Sequence, residues 1–210
     1  RRLMRIIRNT SIVAWQKEIS EEKIKSWLQN FDGSFLNKAE NERKLALWLL
    51  AHYTYYTLED VKILCRSLFD QFLHVKLTEE NNENLREAVQ SIIDSTVFVG
   101  LGNDSESGNN ILYYFRQENN LKKENFEINP NKKYQNIVYV DDVTISGEQA
   151  LDYIESRNIL ADNIYTATLI AAEDAVERLE GYEWFKIKPI FTMLLDERDK
   201  AFSDCSYVFS

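Results

Sequence analysis

The chain has 210 residues, 44% of them apolar, and sets 34 acidic residues against 25 basic ones for a formal charge of −9. That is enough apolar material for one ordinary core with an added lobe, and it excludes a chain disordered throughout. The acidic body is a poor match to a nucleic-acid backbone, the two cysteines exclude a disulfide framework and a zinc site, and no apolar run approaches the ~20 residues of a membrane span.

These limits lead us to expect a cytoplasmic protein with no membrane partner. RRLMRIIR lacks the apolar core and cleavage site of a signal peptide, and a start without Met together with the abrupt end SYVFS fits a piece of something longer. In RRLMRIIR, Arg1, Arg2, Arg5 and Arg8 alternate with apolar residues at helical spacing. This predicts a first helix packed on the body, and it is the one place that offers direct nucleic-acid contact. From Ser20 to Ser95 the apolar period stays helical, through KIKSWLQNF, ERKLALWLLAHYTYY, LEDVKILCRSLFDQFLHVKL and NENLREAVQSIID. Trp27, Leu28 and Phe31 share a face, as do Leu45, Trp48, Leu49 and His52, and both faces are expected in the core of a helical lobe. Thr57, three residues before Asp60, and Thr78 are placed as helix-starting caps. His52 and His74 lie near no nucleophile or ligand cluster and read as ordinary helix residues.

After Ser95 the period alternates: strand TVFVGL, helix NNILYYFRQENN, strand IVYV, helix EQALDYIESRN, strand IYTATLIA, helix DAVERLEG and strand KIKPIFTMLL. The pattern predicts an α/β fold with a mainly parallel sheet, right-handed crossovers and helices on its faces. The division is expected at 95, with 1–95 as the lobe and 96–210 as the α/β core, packed as one unit. ENFEINPNKKYQN, with Pro130, is the one long irregular connector.

Only six glycines occur, and Gly100, Gly102, Gly108 and Gly147 fall in two strand-to-helix loops, GLGNDSESGNN and DDVTISGEQ. Such loops present backbone N–H groups to an anion outside the carboxyl ends of parallel strands. The strand IVYV is expected to stop at Asp141 and Asp142. Two readings of that pair stay open: the carboxylates accept from vicinal ribose hydroxyls while amides from Ile145 to Gln149 hold a phosphate, or they only cap the turn and the following helix. Asp196, Glu197 and Asp199 in LLDERDK read as a solvated loop.

VYVDDVTISGEQ resembles the phosphoribosyl pyrophosphate motif of type I phosphoribosyltransferases: apolar residues, two acidic residues, variable positions, Thr or Ser, then Gly. Over nearly the whole chain, WLQNF, LALWLLAHYTYY, SESGNNILYYFRQEN and LLDERDKAFSDCS resemble the phosphoribosyltransferase-like modules of prokaryotic conflict and phage-defence loci, some retron operons among them. The resemblance implies a sheet of the type I phosphoribosyltransferase kind and transferase chemistry on a phosphoribosyl or nucleotide small molecule. By it, Asp141 and Asp142 hold the ribose hydroxyls and are the candidate ligands of Mg2+. Ile145, Ser146, Gly147, Glu148 and Gln149 form the 5-phosphate loop. Asn103, Asp104, Ser105, Glu106, Ser107, Gly108 and Asn109 form the pyrophosphate loop. It also implies a defence-system protein or RNA–protein partner, with this chain as effector or sensor.

Three departures stand against a plain carry-over. Ile145 stands where several family enzymes place an Asp that handles the base proton, and Ile does no acid–base chemistry. Glu148 and Gln149 replace a small residue and Thr, and a carboxylate in a phosphate cradle repels phosphate unless it turns away. The interval from Gly108 to Asp141 is short for a core that usually inserts a flexible catalytic hairpin. With no covalent nucleophile evident, the alternative is a nucleotide-binding or protein-interaction module that has lost transferase activity. A response-regulator-like acidic pocket fits less well, because no phospho-acceptor constellation accompanies the pair.

Overall fold

A computed structural model describes residues 2–16, 19–79, 84–102, 107–129, 132–157, 159–200 and 203–207. Helices α1 (Arg2–Val13), α2 (Glu21–Leu28), α3 (Ala39–Ala51), α4 (Leu58–Glu79) and α5 (Leu85–Asp94) come first. Then β1 (Thr96–Gly100), α6 (Ser107–Glu118), β2 (Tyr134–Thr144), α7 (Glu148–Arg157), β3 (Ala161–Ala172), α8 (Glu173–Glu180) and β4 (Ile187–Leu195) alternate. The chain divides into two compact units, 1–60 with 199–210, and 61–198.

In the second unit the four strands run parallel in the order β1-β2-β3-β4, with Val97 beside Ile137, Tyr139 beside Thr166 and Thr168 beside Phe191. Ile137, Val138, Tyr139 and Val140 of β2 are buried from both sides, which is why the run reads as continuously apolar. One face carries Phe98, Val138, Val140 and Tyr165 against Phe72 of α4, Ile92 of α5 and Phe115 of α6. The other carries Val97, Ile137 and Tyr139 against Leu151 and Ile154 of α7 and Leu179 of α8. Helical period in α4 and α5 revealed the helices but not what they pack on. Their buried faces belong to the sheet, so the division falls at 60 and not at the change of period at 95.

Two further expectations differ. With parallel strands in sequential order, α6 on one face and α7 and α8 on the other, the β1–α6–β2 connection has the hand opposite to the next two, so the crossovers are not uniformly right-handed. And β2 does not stop at the aspartates. It runs on to Thr144, because Asp141, Val143 and Thr144 keep pairing with Thr168, Ile170 and Ala171 of β3.

In the first unit the buried core is Ile7, Trp15 and Ile24, while Arg2, Arg5 and Arg8 of α1 are exposed. Thr57 caps as expected: its Oγ1 accepts from Asp60 N–H at 3.2 Å, and the Asp60 carboxylate accepts from Thr57 N–H at 2.8 Å. That capping box requires the preceding YTYY to leave the helix, and α3 ends at Ala51. Thr78 is not a cap; it lies inside α4 and donates to Val75 O at 2.8 Å, and Asn84 caps α5. Nor are the two expected apolar faces core. Trp27, Leu45, Trp48 and Leu49 are each about two-fifths exposed. No helix among the described residues is long and apolar enough to cross a membrane.

Candidate functional site

Because β1 and β2 are parallel neighbours, the loops that follow them leave the sheet at the same carboxyl edge. Leu101, which follows β1, lies tight against the start of α6. Leu101 N–H donates to Val140 O at 2.9 Å, and the first turn of α6 passes so close above that a Cβ on Gly108 would stand 2.1 Å from Leu101 O. Only a glycine permits that approach. Ser107, Gly108 and Asn109 open α6, whereas Asn103, Asp104, Ser105 and Glu106 of the expected pyrophosphate loop lie outside the described residues.

The second loop turns at Gly147, whose φ of +75° suits glycine and whose missing side chain lets Ala175 O of α8 come within 3.2 Å of the Cβ position. Leu151 N–H then donates to Gly147 O at 3.1 Å, and the Ser146 hydroxyl accepts from Glu148 N–H at 3.4 Å, so α7 starts where the resemblance places the phosphate loop. Its first-turn amides carry the positive end of the helix dipole. The Glu148 carboxylate is ion-paired with Arg178 of α8. Ile145 is 57% exposed.

Strand geometry separates the two aspartates. Successive residues face opposite sides, so Asp141 follows Tyr139 toward α7 and α8, while Asp142 follows Val140 toward the face of α4 and α6. Asp141 is only 9% exposed and has the buried Thr168 as its cross-strand neighbour; Asp142 is half-buried. Each carboxylate accepts from the next residue's amide, Asp142 N–H at 2.9 Å and Val143 N–H at 2.8 Å, well before α7 opens.

Gly102 of the first loop and Ser146, Glu148 and Gln149 of the second border one open concavity of about 500 Å3, completed by Asp152, Tyr153 and Ser156. Asp141, Asp142, Gly108 and Asn109 are not among its lining residues. Sequence reasoning missed Asp152, Tyr153 and Ser156. Their signal was there, since they continue the polar stripe of Glu148 and Gln149 along α7 at helical spacing. The Arg157 guanidinium lies 4.7 Å from the centre of the Tyr153 ring. A second concavity, about 300 Å3, opens at the amino ends of β1 and β2, the wrong end of the strands for this site, and its Asn125 is committed to Ile93 O and Thr96 O. No cluster of three or more metal-ligating side chains occurs among the described residues.

A protein-family model, PRTase-CE, matches residues 24–210. The chain belongs to that family. Among solved structures this PRTase-CE chain is similar to orotate phosphoribosyltransferase from Aeropyrum pernix, at 15% identity and a TM-score of 0.43, over 66% of this chain and 72% of that one. It is also similar to UMP synthase from Leishmania donovani, at 17% identity and a TM-score of 0.38, over 65% of this chain and 27% of that one. No curated protein matches it. The α/β core expected from VYVDDVTISGEQ is therefore phosphoribosyltransferase-like. In this PRTase-CE chain the passage from α6 to β2 contains, among the described residues, one short 3-10 turn at Lys123–Phe126 and no strand.

Proposed function

We propose that the chain recognises a phosphoribosyl compound or nucleotide at the carboxyl edge of β1 and β2, as the effector or sensor of a prokaryotic defence system with a protein or RNA–protein partner. The observation that carries the ligand reading is the single concavity bordered by both glycine-bearing loops, Gly102 from one and Ser146, Glu148 and Gln149 from the other. The ligand's 5-phosphate sits at the start of α7, on the backbone of Ile145 to Gln149, where the helix dipole favours an anion and Arg178 compensates the Glu148 carboxylate. The half-buried Asp142 is the carboxylate better placed to accept from ribose hydroxyls, with the more buried Asp141 behind it.

Mg2+ commonly binds through one or two carboxylates together with substrate phosphates and water. Two aspartates on opposite strand faces do not make a chelating pair, but one of them is enough for an ion carried by the pyrophosphate. When bound, that ion neutralises pyrophosphate charge, and Asp142, with Asp141, is what this chain offers it.

As a transferase the protein would displace pyrophosphate or a base at the anomeric carbon of the ribose, by positioning and electrostatics and without a covalent nucleophile. Two observations favour a second reading, binding without turnover: the exposed aliphatic Ile145 at the loop, and the absence of a strand among the described residues between α6 and β2. Calorimetric titration with phosphoribosyl pyrophosphate and Mg2+, followed by assay of pyrophosphate release with each nucleobase, decides. Saturable binding supports the proposal, binding without release selects the module that has lost transferase activity, and no binding of phosphoribosyl pyrophosphate or of nucleotides overturns both.

A further inference from the structure

The segment between α2 and α3 holds apolar side chains out in water by a specific device. Glu42, buried in the first turn of α3, accepts from three backbone amides of that segment: Gly33 at 2.8 Å, Phe35 at 2.6 Å and Leu36 at 2.9 Å. Gly33 at φ +98° and Asn37 at φ +58° take left-handed backbone to bring those amides round. The Leu36 amide leads in holding the Glu42 carboxyl below its ordinary range, against the opposing effect of burial, so the clamp is an ionised one. What it fixes in place is Phe35, 91% exposed.

Phe35 and Leu36 form one wall of an apolar groove of about 350 Å3. Trp27 and Phe31, edge to face at 5.0 Å, and Glu42, Leu45, Ala46 and Leu49 of α3 form the rest. Three amide bonds to one buried carboxylate hold this segment, and Phe35 with it, in a fixed place.

We infer that this groove is a self-association face, occupied by a second copy of the chain, with Phe35 of each copy seated in the groove of the other about a two-fold axis. A two-fold interface needs one patch to carry both the projection and the hollow. Here the projecting Phe35 borders a hollow of about 350 Å3, large enough for a benzyl group. The area suffices. The exposed fractions of Trp27, Phe35, Leu36, Leu45, Trp48 and Leu49 amount to about 550 Å2 per copy, hence ~1,100 Å2 for a pair before any polar rim, above the ~1,000 Å2 that a specific interface needs. Charge does not oppose the approach, despite the net −9. On the same two helices Glu21 pairs with Lys25 at 2.8 Å and Glu40 with Lys44 at 2.9 Å, while Arg43 donates to Leu28 O and Phe31 O. Aromatic anchors at the centre and internally paired charges around them are the composition of a homodimer interface.

Sedimentation equilibrium of the full chain, over a range of roughly 1 to 100 µM suited to an interface of this size, tests the inference. The wild type is expected to pass from the monomer mass to twice that mass. Phe35→Asp, at a position almost wholly in solvent, and Leu49→Lys, on the opposite wall, are each expected to raise the dissociation constant at least ~10-fold, with the thermal midpoint at the lowest concentration unchanged. A photo-crosslinking residue at position 35, in a mixture of 15N-labelled and unlabelled protein, should join light and heavy copies through α2–α3 peptides. A wild type that stays monomeric throughout, variants that dimerise as the wild type does, or crosslinks confined to one copy would overturn the inference and leave the groove to a partner of another kind.

Discussion

Gly108→Ala sets two effects of opposite sign against each other at the first loop. Gly108 lies in the first turn of α6, where replacing Gly by Ala favours the helix by up to ~1 kcal/mol. Against that, the new methyl would stand 2.1 Å from Leu101 O and 3.0 Å from Leu101 N, which are backbone atoms and not the movable end of a side chain. Leu101 cannot retreat, because its own N–H is bonded to Val140 O at 2.9 Å in the centre of the edge. Relief requires the start of α6 to lift by on the order of 1 Å, which loosens Ile111 and Phe115 from the sheet. Overpacking of this kind costs ~1–3 kcal/mol, and immovable neighbours put it at the upper end. The expected net loss is about 2 kcal/mol. At about 2–4 °C per kcal/mol for a chain of this length, the thermal midpoint should fall by ~4–8 °C, with a parallel drop in the urea midpoint. Gly181→Ala is the control: φ there is −80° and the nearest atom, Glu177 O, would lie 3.1 Å away, so the change should stay within about 0.5 kcal/mol. A Gly108→Ala midpoint equal to or above the wild type would refute the close approach of α6 to Leu101 at the end of β1.

Other consequences can be checked separately. Asp141→Asn with Asp142→Asn should weaken phosphoribosyl pyrophosphate binding about 10- to 100-fold in calorimetry, since the charge-assisted bond that Asp142 offers is worth ~1.5–3 kcal/mol, while Ile145→Ala should be mild. A thermal midpoint that collapses in the double variant with no separate binding defect would make the aspartates structural. Burial pushes the Cys65 thiol up to about 12, while Cys205 is exposed, so a thiol reagent at pH 8 should titrate one cysteine quickly in the native protein and both in denaturant; two fast thiols would contradict the buried position of α4. Burial alone would raise the Glu79 carboxyl, but hydrogen bonds and charge from Lys188 and Lys76 outweigh it and hold it below its ordinary 4.5. Its stabilising contribution is therefore complete above that value and is lost as pH falls through the lower folded one. Glu79→Gln should flatten the acid limb of the midpoint between roughly pH 5 and 3, and an unchanged limb would show that the ion pairs contribute nothing.

Where sequence and structure agree, the signal was local; where they part, it was tertiary. Every helix and strand that positions the site could be read from period alone, because each buries a face against one partner layer and so repeats at its own spacing. Thr57 with Asp60 was legible for the same reason, a cap being a contact between residues three apart. The partner of each face was not legible. Phe72 and Ile92 look no different in sequence from Trp48 and Leu49, yet the first two are buried on the sheet and the latter two line or adjoin an open groove. The site shows the same division. Glycines and a helix start marked the loop from Ile145 to Gln149, but the cation that compensates Glu148 is Arg178, thirty residues on and one helix away.

The aspartates show how a local rule fails at the carboxyl edge of the sheet. Asp is a poor strand former, so IVYV was expected to end at Val140. Pairing with Thr168, Ile170 and Ala171 supplies ladder bonds that outweigh that preference, and the strand continues through both residues. Continuation has a chemical consequence that a turn would not. In a loop two adjacent carboxylates can bend toward one ribose; in a strand they point apart, one toward α7 and α8 under the sheet's buried neighbours and the other toward the half-open face. Asp142 is thus the more open of the two carboxylates, while Asp141 lies deeper and accepts from the Asp142 amide. Two residues that look equivalent in VYVDDVTISGEQ come to lie on opposite faces of the sheet, and the parallel register of β2 on β3 makes the distinction.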